Sequence, residues 1–258
     1  MKFSLLGALE VSDRETVQVD LGGVKQRAVL GYLLLHANQV VPNSRMLNAL
    51  WDCRPPSTAR KMVQNAVSAI RRMLAAAGPD CSAELVTHTP GYQFKVDPDA
   101  VDMYRFRQLV HNGRTALASG SPVRGTQLLR TGIALWRGPA LADLVECGTS
   151  WSELSALEDE RLTALEDCFD AELQCGRHRE ITPELEVLTA AEPLRERLCI
   201  QFMLALYRSG RQVDALNVYR RTRTALVDGL GIEPGPDLQA LQHMILEHDA
   251  SIQVPVYA

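Results

Sequence analysis

Residues 85–96 read LVTHTPGYQFKV, and this stretch decides the predicted fold. From Tyr92 to Val96 apolar and polar residues alternate as they do in a strand, whereas most of the chain has the spacing of helices. The tetrapeptide TPGY at residues 89–92 predicts a turn, because proline fixes φ at its second position and glycine can adopt a positive φ at its third. The sequence therefore predicts a β-hairpin that follows several helices.

The stretch before the hairpin, STARKMVQNAVSAIRRML at residues 57–74, predicts an amphipathic helix. Ser57 or Thr58 can cap its first turn by accepting a backbone N–H, and Gly78-Pro79 ends it. Apolar residues recur at i, i+4, i+7 and i+11, so they share one side of the helix and are expected to face the core. These residues are Val63, Val67, Ile70 and Leu74.

The opposite side of this helix carries basic, amide and hydroxyl residues, and no Asp or Glu occurs between residues 53 and 79. A helix that only needs to be solvated usually mixes charges, because Glu–Lys pairs one turn apart stabilise it. Lys and Arg neutralise DNA phosphates, and Asn, Gln and Ser pair with base edges in the major groove. An ordinary solvated basic surface is the alternative interpretation. The candidate DNA-reading residues are Arg60, Lys61, Gln64, Asn65, Ser68, Arg71 and Arg72.

Upstream segments complete a small α+β unit. Alternation at residues 2–11 and 16–21 predicts a small antiparallel sheet, and residues 24–37 predict a helix that is apolar nearly all round. Residues 44–51 predict a second amphipathic helix with an N-cap at Asn43–Ser44. Small sheet, three helices and hairpin follow one another in the order of a winged helix.

In a winged helix the third helix enters the major groove, and the hairpin reaches the backbone or minor groove beside it. Residues 1–97 are therefore predicted to form a winged-helix DNA-binding domain. His88 and Lys95 are the candidate wing contacts with DNA. The inward side of the second strand holds Tyr92, Phe94 and Val96. For Tyr92, packing in the core and contact with the DNA backbone both stay open.

The net charge of −4 divides unevenly along the chain. Residues 1–96 contain eleven Lys/Arg and seven Asp/Glu, whereas residues 97–258 contain sixteen and twenty-four. A basic first third joined to an acidic remainder favours two modules with different partners.

After residue 102 no strand signal reappears, and helical segments follow one another with short Gly- or Pro-containing turns between them. They predict an all-α domain over residues 102–248 and a C-terminal tail at residues 249–258. The clearest unit, at residues 198–226, is a helix pair around a Gly turn, which is typical of tetratricopeptide repeats. The predicted fold class is mainly α, with an α+β winged helix followed by an all-α tetratricopeptide-like domain.

Several other function classes lack their sequence signals. The most apolar run, residues 29–35, is far shorter than the roughly 20 residues of a membrane span. The N-terminus has no signal-peptide features, so we expect a cytoplasmic protein that joins the nucleoid when bound to DNA. The six cysteines have neither CxxC nor Cys/His spacing, and no phosphate-binding glycine loop, GxSxG or HExxH motif occurs. We therefore expect no enzyme, no cofactor and no metal site.

These stretches together resemble a known family. KFSLLGALEV at residues 2–11, RPPSTARKMVQNAVSAIRRML at residues 54–74 and the hairpin stretch are similar to the OmpR-type winged helix, in which the helix before the wing reads DNA. LWRGPAL at residues 135–141 and LGIEPGPDLQALQ at residues 230–242 are similar to the bacterial transcriptional activator domain. In this order they resemble the Streptomyces antibiotic regulatory protein (SARP) family over about residues 2–246.

The resemblance implies a DNA-binding transcriptional activator of a secondary-metabolite (antibiotic) gene cluster. It also implies double-stranded promoter DNA with direct repeats, a homodimer or higher assembly on that DNA, and RNA polymerase holoenzyme as partners. Asn65 and Ala69 differ from the bulkier or basic residues common at these positions of the family, so the base preference is expected to be this chain's own. A helical-repeat adaptor that binds protein and no DNA is the alternative, favoured by the acidic net charge and the large helical part.

Overall fold

The chain folds into two compact units. Unit 1 combines residues Met1–His111 with Thr131–Arg161, and unit 2 combines Asn112–Arg130 with the residues from Leu162 onward. The predicted boundary near residue 97 falls inside unit 1, so the two functional modules remain a prediction. The computed structural model describes residues 1–13, 17–52, 54–78 and 81–253.

Unit 1 begins with the predicted α+β arrangement. Its elements are β1 (Lys2–Ser4), β2 (Glu10–Ser12), α1 (Val24–Leu35), β3 (Val40–Pro42), α2 (Asn43–Trp51), α3 (Ala59–Ala76), β4 (Glu84–Thr87) and β5 (Gly91–Lys95). β1 pairs with β2, and β5 lies between β3 and β4 in a second antiparallel sheet. We call the β4–β5 hairpin the wing. The winged-helix order of elements is therefore confirmed.

The first sheet differs in its pairing from the prediction. Both strands lie within residues 2–12, with Phe3 opposite Val11, whereas Gln18 makes only a single antiparallel bridge to Ser12. The chain turns at Gly7, whose φ of 148° is a conformation that favours glycine. Because this turn leaves the local alternation of apolar residues intact, the sequence pattern did not reveal it.

Sequence analysis missed β3, which lies in the predicted break between the first two helices. β3 adds to the wing at β5, so that Pro42 is opposite Gly91. A Cβ atom on Gly91 would lie 1.9 Å from the carbonyl oxygen of Val41. Residues 89 and 90 form the predicted turn, but Gly91 is already the first residue of β5 and does not use the positive φ that the sequence allowed. Close approach of the β3 backbone is the reason for a glycine here.

The predicted N-cap of α2 is also wrong. Pro42 occupies that position, and no side chain caps the helix. Asn43 instead donates from its backbone N and its side-chain Nδ2 to the carbonyl oxygen of Pro90, at 3.1 and 2.8 Å. Asn43 therefore ties the start of α2 to the turn of the wing. Thr58 occupies the N-cap of α3 but makes no side-chain capping bond.

The core of unit 1 contains the apolar residues that the sequence predicts. The α3 stripe of Val63, Val67, Ile70 and Leu74 is buried, as are Tyr92, Phe94 and Val96 of the wing. Phe94 meets Phe3 edge to face with 5.4 Å between the ring centroids. For Tyr92, which is 8% exposed, packing is the observed role.

Residues 102–111 and 131–161 also belong to unit 1, and Asp102 and Arg137 among them contact its N-terminal strands. Asp102 accepts hydrogen bonds from the backbone N of Leu5 and Leu6, at 2.8 and 3.1 Å, and burial raises the pKa of its carboxyl group. The guanidinium of Arg137 lies 2.8 Å from a carboxylate oxygen of Glu10 and donates to the carbonyl oxygen of Ala8. Arg137 therefore fastens the turn between β1 and β2.

The remaining elements are helical, as predicted. They are α4 (Asp102–Ala118), α5 (Pro122–Ile133), α6 (Ala142–Glu146), α7 (Ser152–Gln174), α8 (His178–Ala191), α9 (Glu196–Arg208), α10 (Gln212–Leu230) and α11 (Pro236–Leu246). α4, α5 and α7 contain residues of both units, and the sequence missed only the short α6. In unit 2, α9 packs against α8, α10 and α11. Ala250–Ile252 forms a short 3₁₀ helix within the predicted tail, and Ile252 is buried.

Buried ion pairs hold the helices of unit 2 together. Arg130 donates to both carboxylate oxygens of Glu172, at 3.2 and 2.6 Å, and the Glu172 side chain is 2% exposed. Arg195 and Arg197 pair with Glu166 and Asp170 on α7. Glu196 accepts a hydrogen bond from the backbone N of Gly235 at 2.7 Å. Among the described residues, no helix combines the length and apolar character that a membrane span needs.

Substituting Gly91→Ala tests the close contact between β3 and the wing. The added methyl group overlaps the Val41 carbonyl and must push the strands apart, so we expect a loss of about 2 to 3 kcal/mol in the free energy of unfolding. Urea unfolding followed by circular dichroism measures it. Gly138→Ala is the matched control, because no atom lies within 4 Å of the added methyl group. Equal stability of the two variants would contradict the contact.

Chemical labelling of the cysteines tests whether Cys168 and Cys199 are buried in unit 2. Burial raises the pKa of the Cys168 thiol to about 12 and also raises that of Cys199, so neither forms a reactive thiolate near neutral pH. Cys147 and Cys175 are exposed. We expect iodoacetamide to label Cys147 and Cys175 in the folded chain and to spare Cys168 and Cys199 until denaturant is added, as peptide mass spectrometry can measure. Labelling of Cys168 at the rate of Cys175 would show that the α7 interior is open.

Candidate nucleic-acid interface

The candidate interface consists of the outer side of α3 and the neighbouring wing. Because the α3 stripe faces the core, the residues between its members must point outward. The helix also lies against β4, which places the wing beside this outer side. All seven candidate residues of α3 are exposed: Arg60, Lys61, Gln64, Asn65, Ser68, Arg71 and Arg72.

Five of these seven residues have free side chains. Within the described part of the chain, no hydrogen bond or ion pair engages them, although arginines elsewhere commonly pair with carboxylates. They are Arg60, Lys61, Gln64, Asn65 and Arg72. Their cationic and amide groups can therefore meet an outside partner without first breaking an internal contact.

Arg71 behaves differently from the other candidates, because it is bound to the wing. Its Nε donates to the carbonyl oxygen of Leu85 at 3.0 Å, and its Nη2 donates to Oγ1 of Thr87 at 2.7 Å. The guanidinium thus fixes the position of β4 relative to α3. Ser68 is also engaged, since its hydroxyl donates to the backbone oxygen of Gln64 at 2.9 Å. The Ser68 oxygen can still accept a hydrogen bond.

The two candidate wing residues differ in whether their side chains are already hydrogen-bonded within the protein. His88 is half-buried, and its Nε2 lies 2.9 Å from Oε1 of Gln93, whose Nε2 donates to the carbonyl oxygen of Asn38. His88 therefore belongs to a chain of hydrogen bonds that orders the wing. Lys95 is exposed and has no bonded partner among the described residues, but Glu84 stands opposite it in the strand pairing. This neighbouring carboxylate weakens the positive potential at Lys95.

An open cleft of about 410 Å³ lies between α2, α3 and the turn of the wing. Arg60 and Gln64 line it from α3, and Asn43, Ser44 and Pro90 line it from the other side. Sequence analysis missed the last three residues as part of the site. The pairing of β3 with β5 brings them there, and no local sequence pattern signalled that pairing. The cleft extends the candidate interface to the start of α2.

The chemistry of this surface suits a polyanion. The described residues 54–78 contain no carboxylate side chain, so nothing on α3 opposes the charges of Arg60, Lys61 and Arg72. Cations bind phosphate oxygens, and the free amides of Gln64 and Asn65 can donate and accept at base edges. No group of His, Cys, Asp and Glu suited to hold a metal ion occurs in the part of the chain that the structure describes.

Comparisons with known proteins add a family context. The family model "Transcriptional regulatory protein, C terminal" matches residues 18–94, and "Bacterial transcriptional activator domain" matches residues 101–246. The chain is 37% identical to the regulatory protein DnrI of Streptomyces peucetius, over 98% of this chain and 94% of that protein. It is 36% identical to the transcriptional regulator RedD of Streptomyces coelicolor, over 96% of this chain and 73% of that protein.

The transcriptional regulatory protein EmbR of Mycobacterium tuberculosis is similar in sequence and structure. It is 38% identical over 95% of this chain, and the chain spans 63% of the length of EmbR. A solved structure of EmbR in complex with a low affinity phosphopeptide superposes with a TM-score of 0.87 at 36% identity. That match covers 99% of this chain and 66% of the EmbR chain.

Substituting Arg71→Ala tests whether this residue fixes the wing. Loss of both hydrogen bonds should weaken local stability of β4 by about 1 kcal/mol, which raises its amide exchange about fivefold. Hydrogen–deuterium exchange of the full chain, read on peptides that cover residues 84–87, measures this change. Arg72→Ala is the matched control, because Arg72 has no bonded partner among the described residues and should leave exchange in β4 unchanged. Equal exchange in both variants would contradict the wing-fixing role.

Proposed function

The chain belongs to the Streptomyces antibiotic regulatory protein family of transcriptional regulators, and on this premise we propose that it binds promoter DNA through α3 and the wing. The single observation that carries this proposal is the exposed outer side of α3. Five cationic and amide side chains there have no partner in the described chain and no carboxylate beside them on the helix: Arg60, Lys61, Gln64, Asn65 and Arg72. Duplex DNA is a polyanion, and its phosphates pair with unengaged Lys and Arg side chains of this kind.

The residues of the interface divide by chemistry. Arg60, Lys61 and Arg72 contact phosphates and supply affinity, which therefore falls as salt rises. Gln64 and Asn65 read base edges in the major groove, because a carboxamide both donates and accepts. Ser68 adds an acceptor. Arg71 acts through the wing, which it holds beside α3.

His88 and Lys95 contribute unequally in this proposal. His88 orders the wing through Gln93, so its effect on DNA is indirect. Lys95 contacts the DNA backbone with its free ammonium group. The start of α2, with Ser44 in the cleft beside Arg60, approaches a further phosphate.

A single winged helix covers only a few base pairs, so two or more protomers bind direct repeats at the promoter. Residues 1–97 carry DNA binding in this proposal, and residues 102–248 carry assembly and recruitment of RNA polymerase. The regulated genes belong to a secondary-metabolite (antibiotic) cluster, which similarity to the Streptomyces regulators DnrI and RedD supports.

Substituting Arg72→Ala tests the phosphate contact. Removing one phosphate-neutralising charge should weaken promoter binding and reduce the slope of log K against log salt by about one. Fluorescence anisotropy with labelled promoter duplex over a salt series gives both values. Arg105→Ala, an exposed arginine on α4, is the control and should leave the slope unchanged. An unchanged slope and affinity for Arg72→Ala would remove Arg72 from the interface.

A mobility shift assay with DNA from upstream of the neighbouring genes distinguishes the DNA-binding proposal from the alternative of an adaptor that binds only protein. The full chain is the right sample, because residues 102–151 complete the packing of the N-terminal strands and helices in unit 1. We expect retarded DNA at low salt. If the folded chain retards neither upstream DNA nor unrelated duplex, α3 serves a protein partner and the DNA-binding proposal fails.

A further inference from the structure

We propose that a groove over α9 in unit 2, between α8 and α10, binds an acidic segment of a partner protein. This groove has a volume of about 450 Å³. Every residue that lines it belongs to unit 2, so the inference is independent of the proposed DNA interface. We call it the arginine groove, after Arg211, Arg220 and Arg221 on its α10 side.

The floor of the arginine groove is apolar. Phe202 and Leu206 of α9 and Val218 of α10 line it, and each of them is at least 97% buried. The floor therefore offers a small apolar contact area between the charged edges of the groove.

The rim of the groove has uncompensated positive charge. Arg211 is paired with Asp214 at 2.7 Å, so these two charges cancel. Arg220 donates only to the neutral Oδ1 of Asn217, at 2.7 Å, and Arg221 has no partner among the described residues. The remaining carboxylate of the rim, Glu186, offsets only one of these two charges.

Seven of the twelve arginines of unit 2 have a carboxylate within 4 Å, whereas the adjacent Arg220 and Arg221 do not. The paired ones are Arg114, Arg130, Arg177, Arg195, Arg197, Arg211 and Arg223. Unit 2 also has more acidic than basic residues, fifteen Asp/Glu against twelve Arg. Carboxylates for pairing are therefore plentiful, yet the adjacent Arg220 and Arg221 have none. Both guanidinium groups are left for an outside partner.

Charge and shape together select the partner. A guanidinium binds a carboxylate through two parallel hydrogen bonds, and stacked helix pairs present concave surfaces that take peptide segments. A segment with carboxylates for Arg220 and Arg221 and an apolar side chain for the Phe202–Leu206 floor satisfies both parts of the groove.

The test measures binding of a fluorescein-labelled peptide that alternates Glu with Leu and Phe to the full chain by fluorescence anisotropy. We expect saturable binding that weakens with salt. The double variant Arg220→Glu/Arg221→Glu should weaken it at least about tenfold, because it reverses both charges that meet the peptide. Arg124→Glu is the matched control, since Arg124 is exposed, has no partner among the described residues and lies outside the groove. Circular dichroism checks that each variant is folded.

A second peptide with Gln in place of every Glu should bind at least about tenfold more weakly to the unchanged protein. Equal binding of the two peptides, equal binding by the double variant, or no saturable binding would each overturn the proposal. Promoter affinity is measured on the same samples. If the double variant loses affinity for duplex DNA and keeps affinity for the peptide, the groove is a nucleic-acid surface and the proposal fails.

Discussion

The burial of one side of α3 is the constraint on which the rest of unit 1 depends. Val63, Val67, Ile70 and Leu74 are held in the core, so the rotation of the helix about its axis is fixed. That rotation decides which side chains reach solvent, and it directs the cationic and amide residues outward as a group. The proposed DNA-binding surface needs no separate structural element to orient it, because the hydrophobic core already sets its direction.

The wing depends on the same core and adds three attachments of its own. Phe94 packs on Phe3, Gly91 allows β3 to approach, and Arg71 bonds the far strand to α3. These contacts come from three different parts of the chain. These contacts at its base, its turn and its side hold the wing in position relative to α3, as the proposed interface of both elements with DNA requires.

Much of this fold could be predicted from local sequence patterns. The periodicity of α3, the alternation of β5 and the helical spacing after residue 102 each lie within a short window, and each prediction of an element is confirmed. Other features depend on residues far apart in sequence. β3 pairs with β5 across about fifty residues, and Arg137 reaches Glu10. Such pairings leave no periodic signal in the sequence. For this reason Asn43 and Gly91 were assigned other roles, and the contacts of Arg137 and Arg71 became visible only in the structure.

Two long-range contacts affect when unit 1 can fold during synthesis. They are the hydrogen bonds from Leu5 and Leu6 to Asp102 and the ion pair between Arg137 and Glu10. The first strands of the protein leave the ribosome long before the groups that satisfy them. Trp151, whose indole N–H bonds the carbonyl oxygen of Ala49, arrives later still. Unit 1 consequently depends on contacts between residues far apart in sequence, and the nascent chain acquires its finished form only after residue 151 has been translated.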